Sequence, residues 1–312
     1  MSLLKRGCCL MFVAVGLLLS GCGEAVVDET LQDVRVAVDA TLQTIVSEEL
    51  AVFNTRHETA VLMEQYVPET DALNLLLQDS LRLIITTRPL SEEEINAIAN
   101  AHLLKVRQQV VAYDAVALIQ HKSNPDSLIT IGEMQKVMAG SVKNWKELGG
   151  PDAEIEVVFD NSGSSLVRYV HDSICGGRDF GGIVKEAGTN SAVIDYVAQT
   201  PGALGIVGVD WLRNPNDSTR LRFNDNIRVM SVSRSAVADE GNSFQPFQYY
   251  IATGQYPWTR GVWAITTDPR QRSMGLNFYY FLSDEAGQLI ITRSSQLLPS
   301  MPVHVRTVDI TS

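Results

Sequence analysis

From residue 34 onward, segments with the period of a β-strand alternate with segments with the period of an α-helix. Residues 34–40 (VRVAVDA) alternate between apolar and other side chains, and residues 42–57 then place apolar side chains at helical spacing. The same order recurs twice before residue 104, where Ser91 and Glu94 form a capping-box pattern at a helix start. Strands separated by helices form largely parallel sheets, so this alternation predicts an α/β fold.

Longer extended segments follow in the second half of the chain. Residues 108–121 are a long apolar run that predicts a strand, and residues 130–140 predict a helix. Residues 244–254 (FQPFQYYIATG) and 260–267 also have extended patterns, and residues 274–292 predict a closing helix.

The composition limits the classes of partner. The net charge is −11, with 45% hydrophobic and 20% charged residues, as in an ordinary globular protein. Proteins that bind the phosphate backbone need clustered Lys and Arg, so nucleic acid is not an expected partner. A small anion remains compatible with this charge, because backbone N–H groups and hydroxyls can hold it locally.

The first 21 residues have the pattern of a secretory signal peptide, with a basic start, an apolar stretch through Leu19 and then small residues. Residues 19–22 (LSGC) resemble a bacterial lipobox, which predicts that Cys22 is acylated and that residues 22–33 form a tether. An ordinary signal peptide or a membrane anchor is the alternative, but the apolar stretch is shorter than the roughly 20 residues of a span. We therefore expect a lipid-anchored protein of the cell envelope, facing the periplasm or the cell exterior.

Three strand–helix junctions carry clusters of hydroxyl groups. Ligands of open α/β sheets bind at the carboxyl ends of strands, against helix N-termini, so these junctions are candidate binding loops. A helix cap, or a turn with a surface arginine, is the alternative for each. The third junction has three serines where a cap needs one hydroxyl, which favours an anion-binding turn. The candidate residues are Asp39, Ala40 and Thr41; Thr86, Thr87 and Arg88; and Asp160, Asn161, Ser162, Gly163, Ser164 and Ser165.

Five further segments occur in the order found in one protein family. Residues 200–208 (TPGALGIVG) and 256–260 (YPWTR) resemble signatures of the phosphate-binding proteins of Pst-type ABC transporters. Residues 114–118 (DAVAL), 131–134 (IGEM) and 144–150 (NWKELGG) are similar to other segments of that family. Each motif is short, but the order and spacing hold from about residue 34 to the end.

The resemblance implies a periplasmic-binding-protein-like fold with two α/β lobes, two mostly parallel sheets and a hinge between them. Residues 34–112 and 259–312 would form lobe I, and residues 113–258 lobe II, with hinges near 111–115 and 258–262. It implies a monomer that closes on phosphate or a related oxyanion and delivers it to an ABC permease. It implies no cofactor and no metal.

The family's anion loops fall at the three junctions, with departures. Its SGT helix start corresponds to residues 162–164, and a further loop falls near Asn190. Val158 and Phe159 stand where the family often has an arginine, so Arg88 is the candidate guanidinium from the opposite lobe.

A second departure concerns the acceptor for a protonated oxyanion. Many members have an aspartate at the position of Arg88, and a carboxylate there repels an unprotonated oxyanion. Asp39 or Asp160 is the candidate replacement. Phosphate binding with altered specificity is therefore an open alternative.

Two other classes of function remain as alternatives. The Ser162–Ser165 turn lacks the glycine spacing of a nucleophile elbow, and no HExxH motif occurs, so we expect no catalytic residue. A phosphoesterase is the weaker alternative. The altered loops also allow an envelope lipoprotein that acts as a sensor or interaction module.

Overall fold

The structure is a computed structural model that describes residues 35–57, 61–214, 216–217 and 222–301. The predicted signal peptide, the tether with Cys22 and the last eleven residues of the predicted lobe I lie outside the described residues. Among the described residues, none of the helices is both long and apolar enough to cross a membrane.

The described chain alternates strands and helices. The strands are β1 (Arg35–Asp39), β2 (Met63–Val67), β3 (Leu83–Thr86), β4 (Arg107–His121), β5 (Leu128–Thr130), β6 (Glu156–Phe159), β7 (Ile183–Glu186), β8 (Ala203–Gly208), β9 (Ile227–Val229), β10 (Ser231–Ser233), β11 (Ser243–Phe244), β12 (Thr259–Thr266) and β13 (Leu298–Pro299). The α-helices are α1 (Gln43–Thr55), α2 (Glu69–Leu77), α3 (Glu92–His102), α4 (Ile131–Met138), α5 (Ser165–Tyr169), α6 (Asn190–Gln199), α7 (Gln248–Ala252), α8 (Met274–Phe281) and α9 (Glu285–Ser294).

Two parallel groups of strands are joined by two long antiparallel strands. The sheet order is β2-β1-β3-β12-β4-β8-β6-β7. β1 pairs in parallel with β2 and β3, and β6 pairs in parallel with β7 and β8. β12 runs antiparallel to both β3 and β4, and β4 runs antiparallel to β8. The molecule is therefore a two-lobe α/β fold, as predicted. The first lobe is built around β1, β2 and β3, the second lobe around β6, β7 and β8, and β4 and β12 run between them.

In both lobes, the apolar runs of the strands form the hydrophobic core. Val36, Val38 and Ile85 are fully buried in the first lobe, and Val157 and Phe159 are fully buried in the second. Because both faces of these strands are covered by helices, their sequences are nearly continuous apolar runs. This packing fixes the carboxyl ends of β1, β3 and β6, where the three candidate junctions begin.

Two local predictions are wrong. Residues 244–254 contain the one-turn helix α7, because Phe247 begins the turn and packs on Phe223 with ring centroids 4.5 Å apart. Gly254, at φ +68°, follows this turn. The single closing helix is two helices, because Asp284 caps α9 by accepting hydrogen bonds from the N–H groups of Ala286 and Gly287.

Candidate functional site

The first junction places a buried carboxyl group next to the second lobe. Asp39 ends β1, and its Oδ1 accepts a hydrogen bond of 3.0 Å from the N–H of Thr41. Its Oδ2 is buried without a hydrogen-bond partner among the described residues. Burial raises the pKa of Asp39 to about 6, although the guanidinium of Arg260 opposes this shift. Thr41 Oγ1 lies 3.2 Å from Ser165 Oγ, so the first and third junctions meet.

The third junction contains a helix cap and additional hydroxyls. Ser164 is the N-cap of α5, and its Oγ accepts a hydrogen bond of 3.1 Å from the N–H of Leu166. Ser165 is buried against Thr41, whereas Ser162 is exposed. Capping therefore uses one of the three serine hydroxyls, and the turn offers the other two for contacts elsewhere.

Gly163 allows this turn to approach the first lobe. A Cβ atom on this residue would lie 2.9 Å from Thr70 Oγ1 and 3.1 Å from the Cβ of Pro68. Real Cβ atoms do not approach other atoms at the shorter of these distances, so a larger residue would push the turn away from α2. The glycine thus serves close contact between the lobes.

Asp160 and Asn190 form a second buried group behind the turn. Asp160 Oδ2 accepts hydrogen bonds of 3.3 Å from Asn161 Nδ2 and 3.1 Å from Asn190 Nδ2. Its Oδ1 is buried without a hydrogen-bond partner in the described part of the chain. Burial raises the pKa of Asp160, and the nearby Ser164 hydroxyl partly opposes this shift. Asn190 begins α6, whose cap is Thr189.

At the second junction, Arg88 contacts Glu94 of its own lobe. Arg88 makes a bidentate ion pair with Glu94, with N–O distances of 2.8 Å and 2.7 Å, at the N-terminus of α3. Thr86 Oγ1 donates a hydrogen bond of 2.9 Å to the carbonyl of Arg88. Arg88 is therefore held by Glu94, and two other arginines, Arg168 and Arg260, contact residues of the three junctions.

The first of these arginines, Arg168, reaches across from α5 to the second junction. Arg168 Nε donates a hydrogen bond of 2.6 Å to Glu69 Oε2, and its Nη2 donates one of 3.0 Å to Thr87 Oγ1. Glu69 Oε1 also accepts hydrogen bonds of 2.8 Å from both the N–H and the hydroxyl of Thr87. Burial alone would raise the pKa of Glu69, but the Arg168 guanidinium and the Thr87 donors hold it below its usual range.

The second, Arg260, lies in β12 at the centre of the molecule. Its Nε donates a hydrogen bond of 2.8 Å to Asp114 Oδ2 in β4. Its Nη1 donates one of 2.8 Å to Ser165 Oγ, and its Nη2 donates one of 3.0 Å to Thr41 Oγ1. A single buried guanidinium therefore joins the two crossing strands to the first and third junctions.

A cleft of about 260 Å³ lies between the lobes beside these groups. One wall comes from the first lobe and the other from the serine turn and the helix after it. Its lining combines hydroxyls, guanidinium groups and apolar carbon. It is lined by Glu69, Thr70, Leu73, Arg88, Ser162, Gly163, Ser164, Val167, Arg168, His171, Asp172 and Phe180.

Additional contacts close the lobes at another point. Thr44 Oγ1 donates a hydrogen bond of 2.5 Å to Asp210 Oδ2, and Trp211 Nε1 donates one of 2.8 Å to the carbonyl of Thr41. Burial raises the pKa of Asp210 to about 6, although the Thr44 hydroxyl opposes this shift. The segment that follows β8 thus packs on the first lobe.

Sequence reasoning did not select Glu69, Arg168, Arg260 or Asp114 as site residues. Asp114 and Arg260 carried a usable signal, because Asp114 lies in the middle of the largely apolar β4 and Arg260 is the charged residue of β12, and buried charges are expected to pair. Arg168 is four residues after Ser164, on the same face of the helix. Glu69 resembled an ordinary acidic residue at a helix start, so its sequence context gave no comparable signal.

Comparison with known proteins identifies the family. Residues 24–285 match the family model described as PBP superfamily domain. The chain belongs to this family. Its relatives include a protein named Phosphate-binding protein PstS from Borreliella burgdorferi, 23% identical over 268 residues, which cover 83% of this chain and 87% of the relative. A Bacillus subtilis protein of the same name is 28% identical over 211 residues, covering 62% of this chain and 61% of that protein.

Solved structures show the same fold. A Clostridium perfringens protein, described as a candidate phosphate ABC transporter substrate-binding protein with bound phosphate, aligns with a TM-score of 0.69 and 19% identity. That alignment covers 86% of this chain and 99% of the other. An ABC-type phosphate transport receptor from Vibrio cholerae aligns with a TM-score of 0.63 and 18% identity, over 85% of this chain and 99% of that one.

These comparisons confirm the resemblance that the short motifs predicted. The relatives are named as binding proteins, in agreement with the expectation that this PBP superfamily member is a solute binder and not an enzyme. The individual site residues remain predictions.

Proposed function

We propose that this chain is a lipid-anchored solute-binding protein that captures phosphate or a related oxyanion between its two lobes for an ABC importer. The observation that carries the proposal is the meeting of hydrogen-bond donors from both lobes at the ends of β1, β3 and β6. Thr41, Ser165 and Arg260 meet at one point, and Thr87 and Arg168 meet at another. Relatives that carry the name of phosphate-binding proteins support phosphate as the solute.

The oxyanion would contact the serine turn and the second junction. The exposed Ser162 hydroxyl, the N–H groups at the start of α5, Thr87 and Arg168 line or adjoin the cleft. Hydrogen bonds from charged donors to an oxyanion are short and strong, and helix N-termini favour negative charge. Within the described residues, Asp39 and Asp160 each have a buried oxygen without a hydrogen-bond partner, so we infer that one of them accepts a hydrogen bond from the hydroxyl of a protonated oxyanion.

The remaining parts of the proposal concern location and motion. Cys22 would carry the lipid, which would hold the protein on the cell-envelope membrane, facing the periplasm or the cell exterior. The two lobes would close on each other through hinges near 111–115 and 258–262. Lobe I would comprise residues 34–112 and 259–312, and lobe II residues 113–258. The monomer would then deliver its solute to a membrane permease.

One observation favours the alternative of a sensor or interaction module. The three arginines described near the serine turn and its cleft are each paired with a carboxylate of this chain: Arg260 with Asp114, Arg168 with Glu69 and Arg88 with Glu94. A site whose donors are all used internally would hold no oxyanion. A binding experiment distinguishes the two functions.

The test is thermal unfolding of the mature chain, with Cys22→Ser to prevent acylation, in the presence of phosphate, arsenate, sulfate or molybdate. A binder is stabilised by about 2.7 kcal/mol when the ligand is at one hundred times its Kd. We expect phosphate and arsenate to raise the Tm. Stabilisation by sulfate or molybdate instead would show altered specificity, and no shift at millimolar concentrations would contradict the importer function.

A pair of serine variants makes the test specific for the cleft. Ser162→Ala removes an exposed hydroxyl that lines the cleft, and we expect about a fivefold loss of affinity from one missing hydrogen bond. Ser283→Ala removes an exposed hydroxyl between α8 and α9, where it contacts the carbonyl of Tyr280, and should leave the affinity unchanged. Equal effects of both variants would place the binding site elsewhere.

A further inference from the structure

Glu69 is a buried carboxylate at a junction that the proposed function leaves unused. It is the first residue of α2 and follows β2, at the same edge of the sheet as the other three junctions. Only 1% of the residue is exposed. Its carboxylate lies between a residue of the first lobe, Thr87, and a residue of the second, Arg168.

The groups around this carboxylate are those that an oxyanion requires. Glu69 accepts a backbone N–H, a hydroxyl and two guanidinium N–H groups, with donor–acceptor distances between 2.6 Å and 3.3 Å. Two of its donors come from Thr87, which is a candidate ligand residue, and the others come from Arg168. An oxyanion that used these donors would compete directly with Glu69.

The negative charge of Glu69 opposes the binding of an oxyanion at the same donors. The lowered pKa of Glu69 keeps it ionised at neutral pH, and its charge already raises the pKa of Asp39 at the first junction. A second anion placed beside Glu69 would be repelled, since like charges in a partly buried site interact strongly. The oxyanion and the carboxylate are therefore expected to exclude each other.

We propose that Glu69 is a built-in anion that holds the lobes together through Arg168, and that a bound oxyanion takes its place. The proposal rests on the proposed function, because it names the residue that opposes binding at that site. The carboxylate lines the cleft together with Arg88, which is itself paired with Glu94, so Arg168 is the cation that Glu69 and a bound oxyanion would compete for. Glu69 thereby sets the affinity of the cleft.

The experiment compares oxyanion affinity in the full mature chain with Cys22→Ser. Phosphate binding is measured by isothermal titration calorimetry for the native residue at position 69, for Glu69→Gln and for the matched control Glu156→Gln. Glu156 begins β6, at the opposite end of the strand from the serine turn, and pairs with Lys185 and Tyr196. We expect Glu69→Gln to bind phosphate at least tenfold more tightly and Glu156→Gln to bind with unchanged affinity. Unchanged or weaker binding by Glu69→Gln would overturn the proposal.

A second measurement keeps this proposal separate from the proposed function. Small-angle X-ray scattering in buffer free of oxyanions should give a larger radius of gyration for Glu69→Gln than for the native chain or Glu156→Gln, because the link between the lobes is weakened. If neither the native chain nor Glu69→Gln binds any oxyanion, the proposed function fails, and an unchanged radius of gyration then overturns the lobe link as well.

A second substitution at the same position, Glu69→Ala, covers the case in which Glu69→Gln folds poorly. Glu69→Ala leaves the donors of Thr87 and Arg168 without their carboxylate, so added formate should raise its Tm in a concentration-dependent and saturable way. Glu156→Ala, at an ion pair away from the cleft, should show no saturable response. A formate response that is equal in both variants would contradict the assignment of Glu69 as a replaceable anion.

Discussion

Two of the ion pairs that connect the lobes of this protein differ in burial and in the number of partners. Arg260 and Asp114 are both 2% exposed in their side chains, and Arg260 also donates hydrogen bonds to Thr41 and Ser165. Glu69 is equally buried, but the side chain of its partner Arg168 is 30% exposed and faces the cleft.

The difference separates a structural ion pair from an exchangeable one. A buried pair between crossing strands cannot lose one member without leaving an uncompensated charge, and no solvent reaches it to take the place of the partner. A pair whose cation borders a cleft can exchange its anion, because the incoming anion and water are both adjacent. We infer that Arg260 organises the site and that Arg168 takes part in binding.

The largest expected effect comes from breaking the buried pair. Arg260→Met leaves the buried Asp114 carboxyl without its guanidinium, and removes the donors to Thr41 and Ser165, so we expect a loss of about 3–5 kcal/mol in the free energy of unfolding. Urea denaturation measures this loss. Replacing both charges, with Asp114→Asn and Arg260→Met together, should recover part of it. A loss below 1 kcal/mol for the single variant would show that the pair is not structural.

A smaller effect is expected from the pair at the cleft. Arg168→Met leaves the buried Glu69 without its guanidinium, at a cost of about 2 kcal/mol in the free energy of unfolding, with the exposed Arg272→Met as the control. Because the pKa of Glu69 is lowered in the fold, the pair stabilises fully above the ordinary value of 4.5 and loses its effect as the pH falls through the lowered value. The difference between native and variant chains should therefore narrow at acidic pH, and a difference that widens there would contradict the ion pair.

The smallest effect is expected from an ion pair within one lobe. Arg88 and Glu94 have side-chain exposures of 28% and 21%, so solvent screens their attraction. A double-mutant cycle with Arg88→Ala and Glu94→Ala should give a coupling free energy of about 1 kcal/mol or less. A coupling free energy of about 3 kcal/mol or more, as large as the loss expected for Arg260→Met, would remove the distinction between buried and screened ion pairs.

The sequence was sufficient to predict the fold because its determinants are local. Apolar periodicity located most of the strands, and Ser91 and Glu94 form the capping box that their spacing predicted. The segment that forms α7 was wrongly predicted as extended, since one turn of helix has too few residues for a helical period to be recognised.

The site was predictable only in part, because its contacts join distant parts of the chain. Asp114 and Arg260 are 146 residues apart, and Glu69 and Arg168 are 99 residues apart, so strand order and lobe packing decide their pairing. Hydroxyl-rich junctions could be recognised from residue type alone. The partner of Arg88 could not, since the same Glu94 serves both the helix cap and the ion pair.

The most direct test of the central claim is equilibrium dialysis of the mature chain with radiolabelled phosphate. The account predicts saturable binding of one phosphate per chain, competition by arsenate, and tighter binding when Glu69→Gln removes the internal anion. Absence of saturable binding up to millimolar phosphate, in both the native chain and Glu69→Gln, would contradict the account.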